Sequence, residues 1–316
     1  MPSTSNRILV IGSSNTDMII KLDRLPRPGE TLLGGQFATA AGGKGANQAV
    51  AAARAGGAVT FVAKVGNDSF GQQAITGLKR DRINVDHVFR DASHPSGVAL
   101  IFVAKDGENS IAVASGTNSM LRPADLKQAG RAFRQATALL LQLETPIETV
   151  HAAAKLAAKA RLLILLNPAP ARRLPRSLLR LVSILTPNET EAEMLTGVKV
   201  KDDATAKEAA ARLVAQGVRT VVMTLGARGA LILSAAGAQF VAGFKVKAVD
   251  CTAAGDVFNG ALAVALTEGQ PLANAVRFAN SAAAISVTRL GAQPSAPTRR
   301  EIDRFLQGRD RAGVLR

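Results

Sequence analysis

Short β-branched and aliphatic runs alternate with longer stretches of helical periodicity along almost the whole chain, and this alternation constrains the fold more than any other property. Strands are expected over residues 7–11, 59–65, 138–143, 162–166, 183–185, 220–224 and 230–233. Helices are expected over 44–55, 71–82, 123–135, 147–160, 189–195, 204–216, 254–266, 272–287 and 299–306. Such alternation builds an α/β fold, a mostly parallel central sheet flanked by helices on both faces. A chain of 316 residues has room for one large α/β domain or two smaller ones. With no repeat, low-complexity tract or linker in view, residues 1–316 read as a single domain.

Two segments interrupt the pattern. Residues 17–40 and 97–114 carry strand-like sequence with Gly/Pro turns and no long intervening helix. They either pair as a small antiparallel sheet, a lid beside a ligand site, or form ordinary surface hairpins.

The formal charge of +15 raises the question of a nucleic-acid partner. Lys155, Lys159, Arg161, Arg172, Arg173, Arg176 and Arg180 fall in a segment without acids, and a second group lies between Arg299 and Arg316. Both read as solvated faces of amphipathic helices. Trp and Tyr are absent, so base stacking would rest on Phe alone, and specific nucleic-acid binding is not expected. No apolar run approaches the roughly 20 residues of a membrane span. Residues 8–11 are too short for a signal-peptide core, and the cytoplasm is the expected compartment. The one cysteine, Cys251, rules out an internal disulfide and reads as a small, semi-buried side chain. His87, His94 and His151 have no metal-ligand spacing.

Several predicted strands are followed at once by a polar residue: Asn15 and Asp17, Glu144, Asn167, Asn188, and Thr224 before Gly226. Singly, each is a turn former or a helix cap. Together they predict a shared cleft, because open α/β sheets bind ligands beyond the carboxyl ends of their strands. The sequence Asp250-Cys251-Thr252-Ala253-Ala254-Gly255-Asp256-Val257-Phe258-Asn259-Gly260 opens a helix with small residues. Its backbone N–H groups and the helix dipole suit an oxyanion or phosphate. Asp256, in that first turn, is either a helix-terminus carboxylate or the acceptor of a hydroxyl proton beside a held phosphoryl group. Upstream, Ala41-Gly42-Gly43-Lys44-Gly45-Ala46-Asn47-Gln48-Ala49 matches neither a Walker A loop nor a dinucleotide fingerprint. Its glycines allow close backbone approach, either to a ligand or to neighbouring structure. Lys44 and Asn47 offer donors and an acceptor to hydroxyl groups.

With these two segments in view, the chain resembles the ribokinase (phosphofructokinase-B type) carbohydrate kinase family. The likeness runs from Ile8 to about Phe305. It includes Gly42 to Val50 and Asp250 to Asp256, and between them Gln142-Leu143-Glu144, Asn167-Pro168-Ala169-Pro170, Thr186-Pro187-Asn188-Glu189-Thr190-Glu191 and Thr224-Leu225-Gly226-Ala227-Arg228-Gly229. Gly291-Ala292-Gln293-Pro294-Ser295 closes the pattern.

The resemblance implies ATP-dependent phosphorylation of D-ribose at its 5-hydroxyl. Asn15, Asp17, Gly43, Lys44, Asn47 and Glu144 would hold the sugar. Asp256 would be the base, with Ala253, Ala254 and Gly255 as the anion hole. Asn188, Thr224, Gly226, Gly229, Gly255 and Asn280 would contact ATP, and Asn188 and Glu191 would order magnesium through water. A monovalent cation, usually potassium, would be held by Asp250 and Ser295 with backbone carbonyls at Thr252, Ser286, Arg289 and Gly291. The resemblance also implies a homodimer joined through the lids, and the basic surface would draw in anionic ATP. Departures from the family pattern are Cys251 and Val257, where threonine is common, and the variable position Asn280. The rival readings are a sister kinase for deoxyribose, a nucleoside or another sugar, and a non-catalytic sugar sensor or basic nucleic-acid-binding protein.

Overall fold

A strand buried on both faces has to be apolar throughout, and residues 8–11 meet that requirement. The computed structural model, which describes the backbone of residues 6–314 and the side chains of 6–309, seats them as β1 (Arg7–Ile11) inside a nine-stranded sheet. The chain then leaves this sheet as β2 (Asn15–Leu22) and β3 (Gln36–Gly42). It returns through α1 (Lys44–Arg54) and β4 (Ala58–Gly66), then α2 (Ser69–Arg80) and β5 (Asn84–Asp91). β6 (Gly97–Ala104) and β7 (Asn109–Ala114) leave it again, before α3 (Pro123–Gln128), α4 (Gly130–Gln135) and β8 (Ala138–Leu141). Next come α5 (Ile147–Lys159), β9 (Leu163–Leu166), α6 (Arg176–Leu179), β10 (Ile184–Leu185), α7 (Glu189–Thr196), α8 (Asp203–Ala215) and β11 (Thr220–Thr224). β12 (Gly229–Ser234), β13 (Gly237–Ala242), α9 (Ala254–Thr267), α10 (Leu272–Ser286) and α11 (Arg299–Val314) complete the chain.

The main sheet runs β13-β12-β11-β10-β9-β8-β1-β4-β5. β5 through β11 are parallel, while β12 and β13 add antiparallel at one edge. Progress along the sheet reverses around β1, which opens a crevice at the carboxyl ends of the strands there. Side chains alternate between faces, so Ile8 and Val10 enter one apolar cluster with α1, α9 and α10, while Leu9 and Ile11 enter another with α3, α5 and α8.

The second sheet has the order β3-β2-β6-β7. Of the two expectations, a small antiparallel sheet or ordinary hairpins, the structure shows two antiparallel hairpins, β2–β3 and β6–β7, joined into one sheet by a parallel β2–β6 pair. Both follow strands of the parallel main sheet and leave from the same end of it, so they start in the same direction. The register puts Asn15, Asp17, Ile101, Ile111 and Val113 on one face and Met18, Ile20, Phe37, Leu100 and Phe102 on the other.

Other differences are local. β5 and β13 were not expected. The strand placed at 138–143 stops at Leu141, and the helix placed at 123–135 breaks at Ala129, before Gly130. Arg172 and Arg173 lie in a loop rather than on a helix face, and Arg161 follows the end of α5 with φ 58°. The side chains of Arg311 and Arg316 lie outside the described residues.

Candidate active site

Helices α1 and α9 meet closely because Gly260 has no side chain. A Cβ there would come 2.7 Å from the Ala51 Cβ and 2.8 Å from the Gln48 carbonyl oxygen. This contact sets the first turns of the two helices face to face. Asn47 Nδ2 donates to Asp256 Oδ2 at 3.0 Å, and Gln48 Nε2 donates to Oδ1 at 2.9 Å. Asp256 is only 5% exposed. Burial pushes its carboxyl upward against the pull of Lys44, Gln48 and Asn47, and the Glu144 charge adds to the rise.

Lys44 opens α1 immediately after Gly43, whose φ of 87° places it in a region that favours glycine. Burial pushes the Lys44 ammonium down, but Asp256, Glu144, Glu191 and Asp17 together outweigh that and hold it above its ordinary value. Glu144 accepts from Lys44 N–H at 2.9 Å and from the Ser13 hydroxyl. Asp17, on the site face of β2, is pushed up to about 6, chiefly by burial and then by the Glu144 and Asp256 charges. Asn15 is buried, and its Oδ1 accepts from Asn118 Nδ2 at 2.6 Å. Asn15, Asn118, Val113, Leu143, Glu144 and Arg172 are among the residues lining a cavity of about 310 Å³. The expected sugar-side residues Asn15, Asp17, Gly43, Lys44, Asn47 and Glu144 are thus gathered around Asp256.

A second group lies beside them. Ala253, the residue before α9, adopts the left-handed conformation (φ 59°, ψ 13°), and Gly255 faces open space, with nothing within 4 Å of an added Cβ. Of the three residues expected to form the anion hole, Ala254 already directs its N–H to the Cys251 carbonyl at 3.2 Å. Asn188 and Glu191 form a reciprocal cap on α7, each side chain accepting from the other's backbone N–H. Burial raises the Glu191 carboxyl, while its hydrogen bond to Asn188 and the Lys44 charge pull the other way. Asn188 bridges to Thr224 at the ends of β10 and β11, and Gly226 and Gly229 shape the turn that follows. Asn280 Nδ2 donates to the carbonyls of Val241 and Ala242 at 3.3 and 3.2 Å, tying α10 to β13.

Asp250 joins the loops on either side of the expected cation position. It accepts from Thr252 N–H and from Gly291 N–H, both at 2.8 Å. Burial works to raise its carboxyl, but these bonds and the Lys21 charge hold it below the usual range. Ser295 and Ser286 are buried nearby in sequence, their hydroxyls donating to Ala292 and Ala283. The Ser286 carbonyl accepts from Arg289 N–H at 3.0 Å. Among the described residues no group of three His, Cys, Asp or Glu side chains is placed to hold a metal. Cys251, expected to be semi-buried, is exposed, because its neighbours Lys247, Ala248, Val249 and Thr252 in the same loop are exposed as well.

Comparison with known families matches residues 5–299 to the pfkB family carbohydrate kinases. The chain belongs to that family. Among similar pfkB relatives, a ribokinase from Haemophilus influenzae is 46% identical over 300 residues, covering 95% of this chain and 98% of the relative. A deoxyribokinase from Salmonella typhi is 38% identical over 95% of this chain and 98% of its own. The structure of Arabidopsis thaliana ribokinase complexed with ribose and ATP superposes with a TM-score of 0.91 at 32% identity, covering 96% of this chain and 99% of that one. The pfkB assignment agrees with the large, mostly parallel sheet and the small second sheet. The sequence motifs do not include Ser13 or Asn118, and they contain Thr186, Asn259, Gln48 and Gln142 without pointing to the separate roles these four take. The two glutamines stood inside the quoted motifs, so a polar side chain at a buried helix or strand end was the signal available.

Proposed function

We propose that this chain transfers the γ-phosphoryl group of ATP to the 5-hydroxyl of D-ribose, giving ribose 5-phosphate and ADP. The observation that carries this reading is Asp256, a buried carboxylate in the first turn of a helix, held by two amide donors and facing Lys44. As the base, Asp256 takes the proton from the 5-hydroxyl. Its raised carboxyl suits the task, since a general base works best with a pKa closer to the working pH. The Asn47 Oδ1 atom is buried without a partner and is available to a sugar hydroxyl. Asp17 and Glu144 accept from others, and the Asn15 amide donates. Negative charge developing on the transferred group is met by the helix dipole and by backbone N–H groups at Ala253 and Gly255 at the start of α9, the Ala254 N–H being turned to the Cys251 carbonyl. The adenine and phosphates of ATP are taken by Asn188, Thr224, Gly226, Gly229 and Asn280.

Glu191, a carboxylate close enough to feel both Lys44 and Asp256, fits a role beside magnesium, with Asn188 as its neighbour. Magnesium would neutralise phosphate charge and orient the γ-phosphoryl group. The donors expected at Asp250, Ser295 and the carbonyls of Thr252, Ser286, Arg289 and Gly291 are all oxygen and include one carboxylate, a chemistry that suits a hard cation such as potassium. Potassium would add positive potential beside the anion hole.

The chain works as one domain, with the second sheet as a lid over the sugar. Phe37 and Leu100 are exposed on the lid face away from Asp17, and this apolar face favours a homodimer through the lids. Light scattering that finds only monomer-sized particles at working concentration would remove the dimer. No helix among the described residues is long and apolar enough to cross a membrane, and we assign the enzyme to the cytoplasm.

An ADP-release assay with MgATP tests the central reading, with and without potassium, across ribose, 2-deoxyribose, fructose and adenosine. Turnover on ribose above the other acceptors, raised by potassium, is expected. Preference for 2-deoxyribose would move the chain toward the activity named for its Salmonella relative. Binding of ribose without turnover on any acceptor would make it a sensor.

A further inference from the structure

We propose that Gln48 is a positioning residue for the reaction, holding the Asp256 carboxylate through a relay of three carboxamides whose direction is set by a backbone carbonyl. The proposal rests on the reading of Asp256 as the base. The Thr186 carbonyl can only accept, so the Asn167 atom 3.1 Å away is Nδ2. Asn167 must then turn Oδ1 toward Gln48, whose Nε2 donates to it at 3.1 Å. The second hydrogen of Gln48 Nε2 goes to Asp256 Oδ1 at 2.9 Å. Gln48 Oε1 is in turn taken by Gln142 Nε2 at 2.6 Å. Reversing the Gln48 amide would set its oxygen against Asn167 Oδ1 and Asp256 Oδ1, and its nitrogen against a nitrogen of Gln142. Amide direction, often ambiguous, is therefore fixed here, and Gln48 can offer Asp256 only a donor.

The two neighbours on α1 divide the work. Asn47 holds the other carboxylate oxygen but keeps Oδ1 unpartnered, so it retains a group for the sugar. Gln48 has no exposed surface and spends both hydrogens and its oxygen inside the relay. Gln142 is wedged against Gly12, where an added Cβ would meet its Oε1 at 2.1 Å. Thr186 also serves the opposite arm of the site: its hydroxyl donates to Asn259 Oδ1 at 2.6 Å, and Asn259 Nδ2 donates to the Gly255 carbonyl at 2.8 Å. One residue at the end of β10 thus orients both the base and the residue expected to cradle the anion.

A donor to a carboxylate favours its ionised form. The other charges that bear on Asp256 are Lys44 from α1, Glu144 from the loop after β8, Asp17 from β2 and Glu191 from α7. Lys44 favours ionisation and the three acids oppose it, so loss of the Gln48 donor shifts the balance toward the protonated, inactive base.

The test is the pH profile of kcat with MgATP and saturating ribose for wild type, Gln48→Met and Gln48→Glu, with Asp256→Asn in parallel. In Gln48→Met the acidic limb is expected to move up by about one pH unit, with kcat down roughly 10- to 100-fold and KM for ribose within about threefold. Gln48→Glu has nearly the same shape and decides the matter if the methionine variant does not fold. It places a like charge beside Asp256 and should also move the limb upward. A folded variant of either kind, with the acidic limb unmoved and kcat within about twofold of wild type, overturns the proposal. Activity in Asp256→Asn would instead sink the reading of the base, whatever the Gln48 variants do.

Discussion

The Asp17 carboxylate lies in the space left by the missing side chain of Gly42, its diagonal neighbour across the β2–β3 pair. A Cβ on Gly42 would come 2.2 Å from Asp17 Oδ1 and 2.3 Å from Oδ2. Gly42→Ala therefore evicts the carboxylate rather than bending the backbone. KM for ribose should rise about tenfold or more, because a sugar site with a displaced acceptor leaves hydroxyls unpaired. Melting measurements on the same variant should show a Tm within a few degrees of wild type.

Asp17 also makes the empty protein pH-sensitive. Its folded value of about 6 lies above the unfolded 3.8, so the stability it contributes is fully present below about pH 4 and lost as pH rises through about 6. Ionising it costs about 3 kcal/mol at neutral pH, as an order of magnitude. Asp17→Asn should raise the stability of the sugar-free protein above pH 7 and flatten its slope between pH 4 and 6, while weakening ribose binding. Denaturant melts of both proteins across pH 4–8 isolate the difference; equal slopes would refute it.

Asp256→Asn keeps the shape of the site and removes the proposed proton acceptor. Turnover should fall by roughly 10²- to 10⁴-fold, with ribose binding retained in calorimetry. Substantial remaining turnover would mean that another group takes the proton.

Gly260→Ala acts from behind the site. Its new methyl group meets the Ala52 nitrogen and the Ala51 Cβ at 2.7 Å, and helix α1 has to move away. A loss of about 1–3 kcal/mol is expected in urea unfolding. The loss of kcat should be larger than the loss of ribose affinity, because Asn47 and Gln48 both leave Asp256.

The interior of the main sheet was legible because strands buried on both faces are continuously apolar, as in β1, β8 and β9. Its edges were not. β5 reads Asn-Val-Asp-His-Val-Phe-Arg-Asp, and β13 is exposed along most of its length; edge strands carry polar and charged residues that hide the strand pattern. The polar residues gathered around Asp256 were legible as strand-end and helix-start motifs. The relay behind it was not, since Gln48, Gln142 and Asn167 meet across separations of 94 and 119 residues, and no local periodicity reports such contacts. The left-handed Ala253 had no local signal either, since glycine is the residue that usually announces that conformation.

Asn15 sits where β2 leaves the main sheet, pinned by Asn118 against Gly97, while Leu22 is seven residues further out. At about 3.3 Å per residue this is a lever of roughly 23 Å. Any rocking of the second sheet about its base by ten degrees would carry Leu22 through about 4 Å and Asn15 through almost nothing. The contacts proposed for the sugar lie at the fulcrum, and the far tip, with Asp23, Arg24 and Lys105 beside Leu22, does the travelling. Opening the cleft to admit ribose therefore need not dismantle the groups that will hold it.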